Sequence, residues 1–221
     1  MTVIVAFCSQ KGGVGKSTLA RALAAYLAGD GFSVRIADLD AQQTTSAKWM
    51  QRRKESDYND PAVEVVPYPD VASAIEEIDG LDVLIVDGYA RSSEGTLLIA
   101  QEADLVVQPS NGYQDDCEPA VLVFYDLYNA GIDPSRMVIA MTRLTTPAEE
   151  KEGRAYFASA EIPIKVLDGG LYQKRGYGIA QDEGRTVLET GYDKLNESAK
   201  ELMAALVAEI VAVRQAGSAA A

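Results

Sequence analysis

The feature that most constrains this chain is a glycine-rich segment, residues 10–18, which reads Gln-Lys-Gly-Gly-Val-Gly-Lys-Ser-Thr. An apolar run, residues 2–8, precedes it directly, and a helical pattern, residues 19–27, follows it. Glycines between a strand and a helix let the backbone curve so that successive N–H groups point at phosphate oxygens, and the helix adds the positive end of its dipole. The segment therefore predicts a phosphate-binding loop within an α/β fold.

The polar side chains of this loop have predicted tasks. Lys16 is expected to reach the β- and γ-phosphates of a nucleotide, and the hydroxyl group of Ser17 is expected to hold Mg²⁺. The residues predicted to surround the phosphates are Gly12, Gly13, Val14, Gly15, Lys16, Ser17 and Thr18.

Short runs rich in Val, Ile and Leu alternate with helical stretches along the rest of the chain. The runs are residues 3–7, 33–37, 63–68, 82–86, 105–108, 137–142 and 164–167. The predicted helices are residues 17–28, 71–78, 95–102, 114–129, 147–160 and 192–214. Near-continuous hydrophobicity within each run favours strands that are covered on both faces. The pattern predicts a single α/β domain, residues 1–214, with a mostly parallel twisted sheet flanked by helices on both faces, and a disordered tail at residues 215–221.

The phosphate loop departs from the common pattern, because Gln10 stands where that pattern has glycine and a second lysine, Lys11, follows it. This arrangement resembles the deviant Walker A loop of the ParA/MinD family of P-loop ATPases. The resemblance implies ATP or ADP with Mg²⁺ as ligands. It also implies a homodimer on ATP binding, in which Lys11 reaches across and contacts the phosphates bound by the other subunit.

Aspartates follow two of the predicted strands, at the edge of a parallel sheet where ligands bind. The segment Asp38-Leu39-Asp40-Ala41-Gln42 resembles the Asp-x-Asp-Pro-Gln switch of the same family. The resemblance implies that Asp40 orients the attacking water and helps to hold Mg²⁺, with Asp38 in support. Two solvated turn aspartates are the alternative reading. Trp49, a few residues later, is predicted to pack in the core.

Asp87 follows four apolar residues and is predicted to hold Mg²⁺, as the second acidic element of P-loop ATPases does. The continuation Asp87-Gly88 resembles the ParF-like branch of small plasmid-partition ATPases. Two weaker resemblances lie further on. Thr142 and Arg143 stand where relatives contact the adenine, and residues 175–189 resemble the ending of partition ATPases.

The composition excludes several classes of protein. The chain has no histidine, which excludes histidine-based acid/base chemistry and most zinc sites. Cys8 and Cys117 lack metal-ligand spacing and are predicted to be core thiols, which sets an iron–sulfur relative aside. No apolar run approaches the roughly 20 residues of a membrane helix. Without a basic amphipathic ending or a signal peptide, we expect no membrane partner and a cytoplasmic location.

Charge is the feature that fits the resemblance least well. Small partition ATPases are expected to bind DNA nonspecifically, which requires a basic surface, whereas the net charge is −13. A local patch and scattered solvated cations are equally compatible with the sequence. The basic residues that compose the candidate patch are Arg143, Lys151, Arg154, Lys174 and Arg175.

These features together predict a short ParA-type ATPase, associated with the nucleoid when it binds DNA, that segregates a plasmid or chromosomal cargo with a ParB-like or small adaptor protein. The loop starts so early that no operator-binding domain is expected before it. With no evident arginine finger in the switches, hydrolysis is expected to be slow until the adaptor stimulates it. The alternatives are positioning of a chemoreceptor cluster or microcompartment, and an ATP-dependent ligase of the dethiobiotin-synthetase type. Lys11 argues against the ligase, which has less use for a lysine acting across a dimer.

Overall fold

The computed structural model describes residues 2–40, 45–58, 60–90 and 93–220, in which strands and helices alternate. The strands are β1 Val3–Ser9, β2 Val34–Asp38, β3 Glu64–Pro67, β4 Val83–Ala90, β5 Leu105–Ser110, β6 Met137–Met141 and β7 Lys165–Val166. The helices are α1 Lys16–Gly29, α2 Thr45–Glu55, α3 Val71–Ile75, α4 Ser93–Glu102, α5 Gln114–Asn129, α6 Pro147–Ala158, α7 Arg175–Asp182 and α8 Asp193–Ala220.

The described strands form a seven-stranded sheet in the order β3-β2-β4-β1-β5-β6-β7, and every neighbouring pair is parallel. The predicted α/β fold is therefore confirmed. Strand β1 lies in the middle of the sheet, between β4 and β5. Because all the strands point the same way, the loop after β1 opens at the centre of the edge where parallel sheets bind ligands.

Helices cover both faces of the sheet, and alternate residues of β1 show how. Val5 and Phe7 pack in one core with buried residues of α1 and α8. Ile4 and Ala6 pack in a second core with buried residues of α4, α5 and α6. Successive side chains of a strand point to opposite faces, so a strand covered on both sides needs apolar residues throughout. This is the physical reason for the near-continuous apolar runs.

Two helices are absent from the predicted set, and both have weak sequence signals. Helix α2 is mostly polar and buries Trp49 and Met50 together with Arg53, so it lacks an apolar period. Helix α7 contains Gly176 and Gly178, and glycine disfavours helices.

Strand β4 and helix α8 extend furthest beyond their predicted ends. Strand β4 continues to Ala90, so Asp87 lies within the strand instead of at its end. Helix α8 continues to Ala220, so residues 215–220, which were expected to be a disordered tail, are helical in the structure. The alanines of this segment favour a helix, which accounts for the difference.

Candidate functional site

The loop between β1 and α1 has the backbone shape that its glycines predict. Gly13 and Gly15 have φ angles of 75° and 110°, in the region that residues with a Cβ rarely adopt. The Ser9 hydroxyl group accepts a hydrogen bond of 3.1 Å from the backbone N–H of Lys11 and closes the start of the loop. Helix α1 begins at Lys16, so its N-terminal end faces the space that the loop encloses.

The loop after β6 supports the phosphate loop from the other side. The Thr142 hydroxyl group donates a 2.7 Å hydrogen bond to the carbonyl oxygen of Val14, and the Arg143 guanidinium donates to the carbonyl oxygen of Gly13. Both residues were predicted to contact the adenine. Their side chains contact the loop backbone instead, although both residues also line the cleft, so a contact with the base stays a prediction.

Lys16 and Asp87 form the charged centre of the site. Lys16 is buried, and burial lowers its pKa while the negative charge of Asp87 opposes that shift. Asp87 is buried as well, and burial raises its pKa although hydrogen bonds from Ser17 and Ser46 oppose this. The Ser46 hydroxyl group donates to Asp87 Oδ2 at 2.8 Å. The structure therefore brings together Lys16, Ser17 and Asp87, as the sequence predicted.

Asp38 and Asp40 occupy different positions in the first switch segment. Asp38 is 1% exposed, and its carboxylate accepts three backbone N–H bonds, from Asp40 at 3.2 Å and from Ser46 and Ala47 at 3.0 and 3.1 Å. It therefore joins the end of β2 to the first turn of α2. Asp40 is half-buried and lines the cleft. Residues 41 and 42 of the predicted switch lie outside the described residues.

Lys11 extends from the loop toward the N-terminal end of α5. Its Nζ lies 2.5 Å from Asp116 Oδ1 and donates a 3.0 Å hydrogen bond to the Asp115 carbonyl oxygen. The Lys11 side chain remains 44% exposed. In the single chain, Lys11 is thus held at the surface and contacts α5 instead of the phosphate space of its own loop.

A cleft of about 960 Å³ opens beside the phosphate loop, and Asp40, Asp87 and Thr142 line it. Residues of the segment between β7 and α7 and of α7 itself also line the cleft, and its apolar lining comes from Leu171, Tyr177, Ile179 and Val187. The Thr18 hydroxyl group donates a 2.8 Å hydrogen bond to Gln181 of α7 and so connects the two sides. A polar end at the loop and an apolar remainder suit a phosphorylated ligand with a ring system.

Comparison with known proteins identifies the family. A family model described as the CobQ/CobB/MinD/ParA nucleotide binding domain matches residues 5–218, which is nearly the whole chain. The chain belongs to this family. The resemblance drawn from the phosphate loop and the switch segments is thereby confirmed.

Similar proteins were found both by sequence and by structure. The protein virC1 of Rhizobium radiobacter is 32% identical over 112 residues, and this match spans about half of its length, 48% of either chain. A structure described as a plasmid partition protein of Borrelia burgdorferi B31 bound to AMPPNP has a TM-score of 0.71 at 15% identity and covers 95% of this chain and 100% of its own. Cobyrinic acid a,c-diamide synthase of Mycobacterium smegmatis, with an ATP analogue and magnesium, has a TM-score of 0.69 at 17% identity over 94% of either chain. These structural likenesses show the fold.

The side-chain oxygens of the site suit a Mg²⁺ ion that is bound together with a nucleotide. Mg²⁺ is usually held by one or two protein oxygens together with substrate phosphates and water. Ser17 and Asp87 supply such oxygens next to one another, and Asp40 lines the same cleft. Among the described residues there is no group of three or more Asp, Glu, Cys or His side chains that could hold a metal by themselves. The donor set therefore suits an ion that arrives with phosphates.

Three residues that sequence reasoning missed belong to this site. Arg21 lines the cleft, Ser46 joins both buried aspartates, and Gln181 bonds to the phosphate loop. Arg21 follows Ser17 by four residues, so helical spacing alone places it one turn further on the same face. That spacing is the signal that could have found it. Ser46 and Gln181 come from segments distant in sequence and carry no such signal.

The remaining predictions concern the cysteines and a membrane span. Cys8 and Cys117 are buried free thiols, and burial raises the pKa of Cys8 to about 12 and that of Cys117 to about 11. Protonated buried thiols suit the predicted core role. A search of the described helices finds none with the length and apolar character of a membrane span.

Proposed function

We propose that this chain is a ParA-type ATPase that binds Mg-ATP in the cleft beside residues 10–18. The observation that carries the proposal is the loop itself, in which Lys16 is buried and acted on by the charge of Asp87, while Lys11 remains at the surface. Lys16 and the N-terminal end of α1 bind the phosphates, and Ser17 and Asp87 hold Mg²⁺. The ion supplies positive charge to the phosphates when it is bound.

Hydrolysis in this proposal depends on positioning, because phosphoryl transfer to water needs little covalent help from the protein. Asp40 lines the cleft and orients the attacking water, whereas Asp38 is committed to the N–H groups of α2 and fixes the segment that carries Asp40. For fast turnover, an adaptor protein, either ParB-like or small, supplies the cationic finger that the switch segments lack.

The oligomeric part of the proposal rests on Lys11. Its side chain extends away from the phosphates of its own loop and is 44% exposed, so a second subunit can reach it. We infer that ATP binding pairs two chains face to face and that Lys11 then exchanges Asp116 for the phosphates of the partner. A ligase that works as a monomer gains nothing from this lysine.

The cargo of the proposed function is a plasmid or chromosome, carried with nonspecific DNA as the track. Two of the candidate basic residues, Arg154 and Arg143, make hydrogen bonds within the chain. Arg154 donates to Glu150 and to the carbonyl oxygens of residues 167 and 169, and Arg143 is bonded to the phosphate loop. Lys151, Lys174 and Arg175 are exposed. A gel shift with random duplex DNA at low salt tests this part: binding that requires ATP and that Lys174→Glu weakens supports it, and absence of binding by the ATP-locked protein favours a protein scaffold.

Nucleotide binding is tested by titration with a fluorescent ATP analogue. Lys16→Ala removes the phosphate-binding cation and is expected to abolish or severely weaken binding while the fold persists. The matched control is Lys48→Ala, an exposed lysine on α2 that does not line the cleft and should bind as the wild type does. Unchanged affinity in folded Lys16→Ala would overturn the proposal.

A further inference from the structure

Two arginine side chains stack on the ring of Trp49. The Cζ atoms of Arg21 and Arg53 lie 5.4 and 5.3 Å from the ring centroid. Trp49 is fully buried, and the arginines are only 4% and 1% exposed. The two arginines thus share a neighbour and a degree of burial, so their other contacts can be compared directly.

The charge of Arg53 is compensated in the folded chain. Its guanidinium donates two hydrogen bonds to the Glu189 carboxylate, at 2.8 and 2.9 Å. Further bonds of 3.2 Å reach the carbonyl oxygens of Gly184 and Pro61. A paired and hydrogen-bonded arginine is what the low dielectric of a core requires.

The charge of Arg21 has no such compensation. Its Nε donates to the Ser46 hydroxyl group at 3.1 Å, but Nη2 is buried without a hydrogen-bond partner. Within the described part of the chain, no carboxylate lies within 4.0 Å of its guanidinium. Burial accordingly lowers the pKa of Arg21 to about 10, even though Asp87 and Asp38 act in the opposite direction. A buried charge without a partner destabilises a fold, and a bound anion would offset that cost.

The position of Arg21 indicates which anion. Arg21 lines the cleft together with Lys16, Ser17 and Asp87. It stands four residues after Ser17 on α1, and side chains of a helix lean toward its N-terminal end, which here is the end that faces the phosphates. Its partner Ser46 donates to Asp87, so the guanidinium lies on the side of the site where Mg²⁺ is proposed to bind.

We propose that Arg21 is a second phosphate-binding cation of the cleft, whose buried guanidinium pairs with the terminal phosphates of the bound nucleotide. The inference rests on the proposed function, because it requires that the cleft holds a nucleotide. A guanidinium suits the role, since its planar fork of donors matches phosphate oxygens and its charge survives burial. The arginine is thus retained for a ligand, at the expense of the stability of the empty protein.

Arg21→Met separates this role from a structural one, because the methionine keeps an apolar chain on Trp49 while the charge is removed. Affinities for a nonhydrolysable ATP analogue and for ADP would be measured by titration, with Mg²⁺ and with EDTA, and nucleotide-free variants would be melted. We expect affinity about ten- to hundredfold weaker, the effect of losing a hydrogen bond to a charged group, in EDTA as well as in Mg²⁺. The empty variant should be at least as stable as the wild type. Arg21→Lys, which keeps the charge, should bind more tightly than Arg21→Met.

Arg53→Met is the matched control, because it removes the other arginine from Trp49 but does not touch the cleft. It should lose stability, since it leaves Glu189 without its partner, and should keep wild-type nucleotide affinity. A loss for both nucleotides assigns Arg21 to the phosphates they share, and a loss for the ATP analogue alone assigns it to the γ-phosphate.

Wild-type affinity for both nucleotides in folded Arg21→Met would overturn the inference, and so would an Arg21→Lys variant that binds no more tightly than Arg21→Met. Equal losses of affinity and stability in the Arg21→Met and Arg53→Met variants would also overturn it, because they would show a purely structural role. If Lys16→Ala abolishes binding in the same titration while Arg21→Met does not affect it, only the present inference fails. If the wild-type chain binds neither nucleotide, the proposed function and the inference fail together.

Discussion

Replacing Asp38 by alanine tests whether this residue anchors the switch segment or acts in catalysis. The carboxylate is almost completely buried, and it accepts N–H bonds from Asp40, Ser46 and Ala47. Two of these donors belong to the first turn of α2, where N–H groups have no partner within the helix. Asp38→Ala therefore leaves several buried donors without an acceptor at once.

The expected loss can be worked from these bonds. A hydrogen bond to a charged group contributes about 1.5–3 kcal/mol, and loss of a helix cap costs about 0.5–2 kcal/mol. Bonds that share one carboxylate are not additive, and the removal of Asp38 also relieves its repulsion of Asp87. We therefore expect a loss of about 2–4 kcal/mol in the free energy of unfolding. For a chain of this length that corresponds to a fall in Tm of roughly 5–15 °C.

Thermal and urea unfolding of the nucleotide-free protein measure this loss. The matched control is Asp70→Ala, because Asp70 caps α3 by accepting 2.8 Å hydrogen bonds from the N–H and the hydroxyl group of Ser73 but is solvent-exposed. Asp38→Ala should lose clearly more stability than the control. An Asp38→Ala variant that is as stable as Asp70→Ala, yet hydrolyses no ATP, would refute the anchoring role and favour a catalytic one.

Glu189, the glycines of the phosphate loop and the rate of hydrolysis each allow a further test. Burial raises the pKa of Glu189, but hydrogen bonds from Arg53 and Thr186 outweigh burial and leave the pKa below 4.5. This carboxylate therefore stabilises the fold above about pH 4.5, and the stabilisation is lost as the pH falls further. Glu189→Gln should lower the free energy of unfolding by about 1–2 kcal/mol at pH 7 and flatten the acid limb of a urea-denaturation series, and an unchanged acid limb would contradict this. Gly15→Ala adds a Cβ at a residue with a φ of 110° and at 3.4 Å from the Thr142 hydroxyl group, so it should weaken nucleotide binding and lower Tm. The Cβ of Gly12→Ala meets nothing within 4 Å, and this variant should keep the wild-type Tm. Equal melting curves for the two variants would count against the loop geometry. Hydrolysis by the chain alone should be slow, because a supplied cationic finger contributes about 10³–10⁵ in rate, and a phosphate-release assay that shows ordinary enzyme rates without a partner would disprove this.

Local spacing explains what could be predicted. The phosphate loop, Lys16, Ser17 and Asp87 are recognisable because the chemistry requires those residue types at fixed intervals next to a strand or helix. The parallel sheet is predictable because strands covered on both faces must be apolar throughout. Trp49 was predicted to pack in the core, and it is fully buried.

The rest of the site depends on packing between distant segments. Helix α2 has no apolar period by which the sequence could reveal it. Asp38 holds its first turn, and Trp49 and Arg53 hold it against the segment around residue 184. Arg154, a candidate DNA contact in the sequence, donates hydrogen bonds that join α6 to the loop after β7. A count of charges cannot predict these bonds. Neither follows from residue order, because each contact exists only once the sheet has assembled.

The proposed ATP-dependent pairing of two chains is measured as the mass of the protein by light scattering, with and without a nonhydrolysable ATP analogue. We expect that the wild-type chain forms a dimer when the analogue and Mg²⁺ are added, and that Lys11→Ala still binds the analogue but stays monomeric. Asp116→Ala, which removes the ion pair between Lys11 and α5, should still dimerise. A wild-type chain that binds the analogue and remains monomeric would contradict the account and favour the ligase alternative.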